Sequence, residues 1–165
     1  MYRTVLVHAA GKESAARIAL AVDVAHQFDA VLIGIAAGLP QLPIELYDVA
    51  LGTVAVGPNY TEFDRRHVEA EFGKAEAVFR QLTDGAGLET SWRTAFEAPT
   101  DAIVAAAVAA DLVVVGPGDH SLLGSVGLAS AGDIALRTGR PLLVVPDGLD
   151  RLTPKNVLIA WKSTA

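Results

Sequence analysis

The sequence predicts an α/β domain built on a parallel sheet with helices on both faces, and three observations carry that reading. Short aliphatic runs of strand length alternate with stretches whose apolar residues recur every three or four positions. Glycines, prolines and polar residues fall at the joints between the two kinds of segment. The first run, stretch and run fit within about 30 residues, the span of a βαβ unit with its right-handed crossover.

Taken in order, Thr4–His8 is a buried strand by length and residue type. Gly11 and Lys12 turn the chain, and Glu13 or Ser14 opens a helix with Ile18, Val22, Ala25 and Phe28 in one stripe. Asp29 ends it, and Ala30–Ala36 is the second buried strand. From Gly38 to Asn59 the pattern gives way to Pro40, Pro43, Gly52, Gly57 and Pro58, a long loop with one helical turn around Ile44–Val49. Asn59 or Thr61 caps the next helix, whose Val68, Phe72, Ala75, Phe79 and Leu82 step by 4, 3, 4 and 3. Gly85 and Gly87 close it.

Leu88–Phe96 alternates polar and apolar residues, as a strand near a sheet edge does. Pro99 and Asp101 start an alanine-rich helix to Ala109, and Leu112–Val115 is the fourth strand. Ser130–Arg137 is a helix closed by Gly139, and Leu142–Val145 is the fifth strand. Pro146–Pro154 reads as a polar linker, after which Asn156-Val-Leu-Ile-Ala opens a sixth strand spelled like Thr4-Val-Leu-Val-His. Residues 1–146 thus form one domain. Residues 147–165 form a linker and the first strand of a second repeat, or a strand that docks on a partner. A free strand of that kind is an aggregation hazard, so it is expected to be paired.

Composition excludes several classes. No apolar run among the 165 residues reaches the length of a membrane span, and the N-terminus lacks the features of a signal peptide. The absence of cysteine removes disulfides, thiolate zinc sites and thiol nucleophiles. A cytoplasmic location is the expectation. A net charge of −6 argues against duplex nucleic acid, and Arg65, Arg66 and Lys74 mixed among Glu62, Asp64, Glu69 and Glu71 make a solvated helix face.

One segment points to a ligand. Asp111-Leu-Val-Val-Val-Gly is a strand that breaks into a loop carrying Gly116, Gly118 and Gly124, and a helix starts at Ser130. Free N–H groups and the positive end of a helix dipole converge in such a loop, which is how proteins hold phosphate. Other phosphate loops fail on spelling. Gly11-Lys12 is followed by Glu13, and Ser121 stands where a dinucleotide fingerprint after Gly116 needs glycine. His8, His26, His67 and His120 lack metal-ligand spacing, and the first three read as structural or surface groups. Asp119, His120 and Ser121 are adjacent and do not form a triad, whose members come from separate elements. No catalytic or metal-ligating residue is assigned. Trp92 and Trp161 read as packing or interface residues.

These residues resemble the universal stress protein family over nearly the whole chain. The carriers are Thr4–His8, the Phe72–Leu82 helix, Asp111-Leu-Val-Val-Val-Gly, Ala129-Ser-Ala-Gly-Asp-Ile-Ala-Leu-Arg and Pro141-Leu-Leu-Val-Val-Pro; the new start at Asn156 resembles tandem members. The resemblance implies a Rossmann-like open parallel five-stranded sheet in the order 3-2-1-4-5, with an adenine-nucleotide site at the switch point between strands one and four. It implies a stress-response role and pairing with a like domain, as a homodimer or a tandem pseudo-dimer.

The ligand would be ATP or AMP, held by Ala10, Gly11, Gly116, Gly118, Asp119, Gly124, Ser125, Ala129 and Ser130. Gly116 and Ser130 match the first and last positions of the family's phosphate motif. Asp119 and Ala129 replace its second and third glycines, and Ala10 replaces the acid on the adenine side. A carboxylate in a phosphate cradle repels the ligand's charge. Two readings follow: a degenerate nucleotide site in a domain that acts through assembly, or a competent ATP/AMP binder or slow ATPase using the Gly116–Ser130 loop.

Overall fold

A computed structural model describes residues 1–11, 14–39, 58–118, 129–153 and 155–160, and for 58–64 the backbone alone. The described elements are β1 (Thr4–His8), α1 (Ser14–Phe28), β2 (Val31–Ala37), α2 (Pro58–Thr83) and β3 (Thr90–Ala95). They continue with α3 (Pro99–Ala106), a 3₁₀ turn at Ala107–Ala109, β4 (Leu112–Val115), α4 (Ala131–Thr138) and β5 (Leu142–Val144). The strands form one sheet in the order β3-β2-β1-β4-β5, and each neighbouring pair is parallel. The expected architecture and strand order are both present.

Side chains of successive strand residues point to opposite faces, so the central strands feed two cores. Val5 and Val7 pack with Ile18, Val24 and Phe79 under α1 and α2. Leu6 packs with Ile33, Ile103, Val113 and Ile134 under α3 and α4. β1, the most central strand, is clamped to β4 at its entry: the Asp111 carboxylate accepts N–H bonds from Arg3 (2.8 Å) and Thr4 (3.1 Å). The backbone bond from Arg3 is the leading reason that carboxyl is held below its ordinary range.

Gly34 in β2 lies directly beneath two rings. A Cβ there would stand 2.7 Å from Phe79 and 2.7 Å from Trp92, whose ring centroids are 5.3 Å apart. Gly34→Ala is therefore expected to destabilise by about 1–3 kcal/mol through overpacking, read from urea unfolding. A midpoint unchanged from the parent would show that the rings can retreat.

Several boundaries differ from the sequence expectation for local reasons. α2 begins at Pro58, a residue pre-set for the first helical position, ahead of both expected caps, Asn59 and Thr61. α3 ends at Ala106 and its last turn tightens to 3₁₀ instead of running on to Ala109. Ser130 caps α4 and does not lie within it.

Among the described residues no sixth strand is formed. Asn156–Ala160 form no strand, and Val157, Leu158 and Ile159 are 80%, 93% and 84% exposed. A parallel strand beside β5 would need a crossover of about a dozen residues or more, and the linker is shorter. It runs back over α1, where Arg151 reaches Asp23 at 3.9 Å. The charged face of α2 is solvated as expected, with Arg65–Glu69, Lys74–Glu71 and Arg80–Glu76 pairs along it. Among the described residues, no helix is long and apolar enough to cross a membrane, and no cluster could hold a metal ion.

Candidate functional site at the switch point

β1 and β4 lie side by side, yet the connections after them diverge to opposite faces of the sheet, which opens a crevice at their carboxyl ends. After β1 the chain passes Ala9 and Ala10 to Gly11 (φ 93°), whose carbonyl accepts the Ser14 N–H at 3.3 Å as α1 begins. After β4 it passes Gly116 and Pro117 to Gly118 (φ 76°). A Cβ on Gly118 would meet the Ala129 carbonyl oxygen at 2.7 Å, so the outgoing loop lies against its own return. Ser130 then caps α4: its Oγ accepts the Asp133 N–H at 3.3 Å, and its own N–H donates to Thr100 Oγ at 3.0 Å.

Of the residues expected at the site, Ala10, Gly11, Gly116, Gly118, Ala129 and Ser130 come to this end of the sheet. Asp119, Gly124 and Ser125 lie outside the described residues, as do Lys12, Glu13, His120, Trp161 and most of the Gly38–Asn59 loop.

The sequence reading missed Arg17. It lies on the buried stripe of α1 beside Ile18 and three residues after Ser14, a charged residue on an apolar face, and that was its only signal. The side chain is 7% exposed. Its Nε donates to the His8 carbonyl at 2.7 Å and its Nη2 to the Ala10 carbonyl at 2.6 Å. A Cβ on Gly116 would stand 2.5 Å from Nη1, so the guanidinium spans from the end of β1 to the start of the β4 loop. Burial lowers its pKa and the charge of Asp147 opposes that shift. Among the described residues no carboxylate lies within ion-pair distance of it.

His8 sits beside it, 3% exposed, with Nε2 lacking any hydrogen-bond partner. Burial, assisted by the Arg17 charge, pushes its pKa down to about 3, so the imidazole is neutral.

On the other side of α1 a cavity of about 680 Å³ opens between the ends of β1 and β2 and the face of α2, a size usual for small-molecule pockets. Ala10 and Gly11 form one wall, Ala36–Leu39 another, and Val68, Phe72, Ala75 and Val78 a third. Its polar groups are Ser14 and, from α2, His67, Glu71 and Lys74, of which Lys74 Nζ donates to Glu71 at 2.7 Å. The contribution of α2 was not foreseen, because the stripe Val68, Phe72, Ala75 reads alike whether it faces a core or a cavity. Such a chamber suits a flat apolar group. The glycine loop, Arg17 and the α4 N-terminus suit an anion.

No protein-family model matches the chain, and no curated protein matches it. Solved structures do. A universal stress protein in complex with cAMP is similar at 24% identity and a TM-score of 0.60, over 87% of this chain and 97% of that one. Universal stress protein UspA from Lactobacillus plantarum is similar at 18% identity and a TM-score of 0.61, over 87% and 97%. A universal stress protein family protein from Arabidopsis thaliana with AMP bound is similar at 14% identity and a TM-score of 0.55, over 90% and 94%. The chain has the universal stress protein fold.

Proposed function

We propose that residues 1–146 form a stress-response domain of the universal stress protein type with a degenerate adenine-nucleotide site. It acts mainly through assembly with a like domain in the cytoplasm and is not an enzyme. Neighbours of the same fold bind cAMP and AMP, so an adenine nucleotide is the ligand against which the site is judged. The observation that carries the reading is the fate of the Ala10 position. It offers no side-chain acceptor, and its carbonyl is taken by Arg17 at 2.6 Å. Residues 147–165 are the linker and docking strand toward a second like domain, in a homodimer or a tandem pseudo-dimer; the exposed Val157, Leu158 and Ile159 support this. A second reading, a competent ATP/AMP binder or slow ATPase, is favoured by the cavity of about 680 Å³ beside Ala10.

Calorimetric titration of ATP, ADP and AMP into the chain, with Asp119→Gly in parallel, separates the two. The expected result is no binding by the parent and measurable binding once the carboxylate is gone. Micromolar binding or turnover by the parent would overturn the degenerate-site reading. Sedimentation that stays monomeric at every concentration, alone and with a like domain, would remove the role in assembly.

A further inference from the structure

We propose that the cavity of about 680 Å³ between α1, α2 and the ends of β1 and β2 takes an uncharged lipophilic molecule with a flat ring system and a single hydroxyl. Among the described residues that line it, none comes from β4, the segment after it or α4. The site is therefore separate from the crevice between β1 and β4, and it rests on neither nucleotide reading.

The space follows from the order of side chains along α2. Ala75 and Phe79 lie one turn apart on the same face of that helix. At the level of Phe79 the ring crosses to Gly34 of β2 and holds the helix a ring's width off the sheet. One turn earlier only the Ala75 methyl enters the same gap, and Ala10 and Ala36 stand opposite at the strand ends. Phe72 packs against Phe96, with ring centroids 5.2 Å apart, and forms a side wall.

The chemistry of the walls selects the guest. Polar backbone atoms at the strand ends are already engaged: the Ala9 N–H donates to Ile35, the Gly38 N–H to Ala95, and the Ala10 carbonyl accepts Arg17 Nη2. The alanine methyls and Phe72 add no donor or acceptor. A nucleoside buried against them would lose water from several polar atoms without gaining partners. A hydrocarbon ring has no such cost and gains dispersion contacts with the walls. Ser14 is the only buried polar side chain among the described lining residues, which suits one hydroxyl on the guest. Charge is confined to the rim, where Lys74, 72% exposed, donates to Glu71 at 2.7 Å and the pair neutralises itself.

The probe is N-phenyl-1-naphthylamine, an uncharged dye that brightens in apolar surroundings, titrated into the full chain. Its emission is expected to rise saturably, and para-phenylphenol is expected to displace it and to raise the melting temperature. The carboxylate with the same rings, para-phenylbenzoate, is expected to bind at least about tenfold more weakly. Ala75→Phe places a ring in the gap and should abolish saturable binding. Should that variant fail to fold, Ala15→Phe narrows the same cavity from an exposed position on α1 and should weaken the dye likewise.

A parent that gives no saturable dye response overturns the proposal. So does a response unchanged in both variants, since the dye would then lie on an exposed surface such as Val157, Leu158 and Ile159. Benzoate binding tighter than the phenol overturns it as well. Displacement of the dye by AMP would make the cavity a chamber for a nucleotide base, which overturns the lipophile site and favours the competent-nucleotide reading. AMP that binds without displacing the dye supports a separate lipophile site and removes the degenerate-site reading. The two conclusions therefore fail separately.

Discussion

Phe79→Ala is expected to cost about 3–5 kcal/mol of unfolding free energy, enough to consume much of the stability of a domain this size. The ring is fully buried and is the largest such side chain described. It stands on Gly34 at the centre of β2, stacks on Trp92 of β3, and joins the core cluster that α1 and β1 share. Its removal leaves a void that glycine beneath cannot fill, and it loosens α2 along the wall of the cavity beside Ala10. Urea unfolding gives the magnitude, and Phe79→Leu should lose distinctly less. A loss below about 1 kcal/mol for alanine would mean that α2 is not packed on the sheet as described.

Acid should reveal His8. An unfolded chain protonates this histidine near 6.5, whereas the native state resists until about 3. Between those values the unfolded state binds more protons, so the contribution of His8 is complete above pH 6.5 and declines as the pH falls toward 3. From pH 7 to pH 4 the loss is about 3 kcal/mol. The Arg17 charge beside the ring works in the same direction as burial. Unfolding free energy measured across that window should fall steeply in the parent and much less in His8→Gln. Equal slopes in the two proteins would mean that His8 charges freely in the folded state. The Asp111 carboxyl, held below its ordinary value of 3.8, lowers stability in the same direction at the acid end of this window, but parent and His8→Gln share it, so the difference between their slopes isolates His8.

The sheet and its helices were legible because their signals are local. The aliphatic run Leu112–Val115 and the stepped apolar residues of α2 declare their period within one element. Strand order was legible only through the resemblance, since nothing local tells β4 to lie beside β1. The site was half legible. Glycines at 116 and 118 mark a turn from composition, but the burial of Arg17 against two strand-end carbonyls is a tertiary fact. A lone arginine beside Ile18 looks like any helix arginine until β1 and β4 are drawn together. His8 illustrates the same limit: its place at a strand end is plain in the sequence, and only the fold shows its Nε2 stranded. The tail shows the reverse case. Asn156–Ala160 have strand composition, yet composition does not supply an edge to pair with.

The clasp at Asp111 has a consequence for how the molecule is made. Among the strands of this sheet the first to be synthesised is the middle one, and its neighbour β4 is held to it by a hydrogen bond spanning 107 positions of sequence. Until that distant segment emerges, one margin of Val5, Leu6 and Val7 has no strand to meet. Contacts this remote in sequence slow folding and tie its completion to late-synthesised residues. A nascent chain cut short before Leu112 therefore carries an aliphatic ribbon with one side open, and it is during that interval that the protein depends most on being shielded from its neighbours.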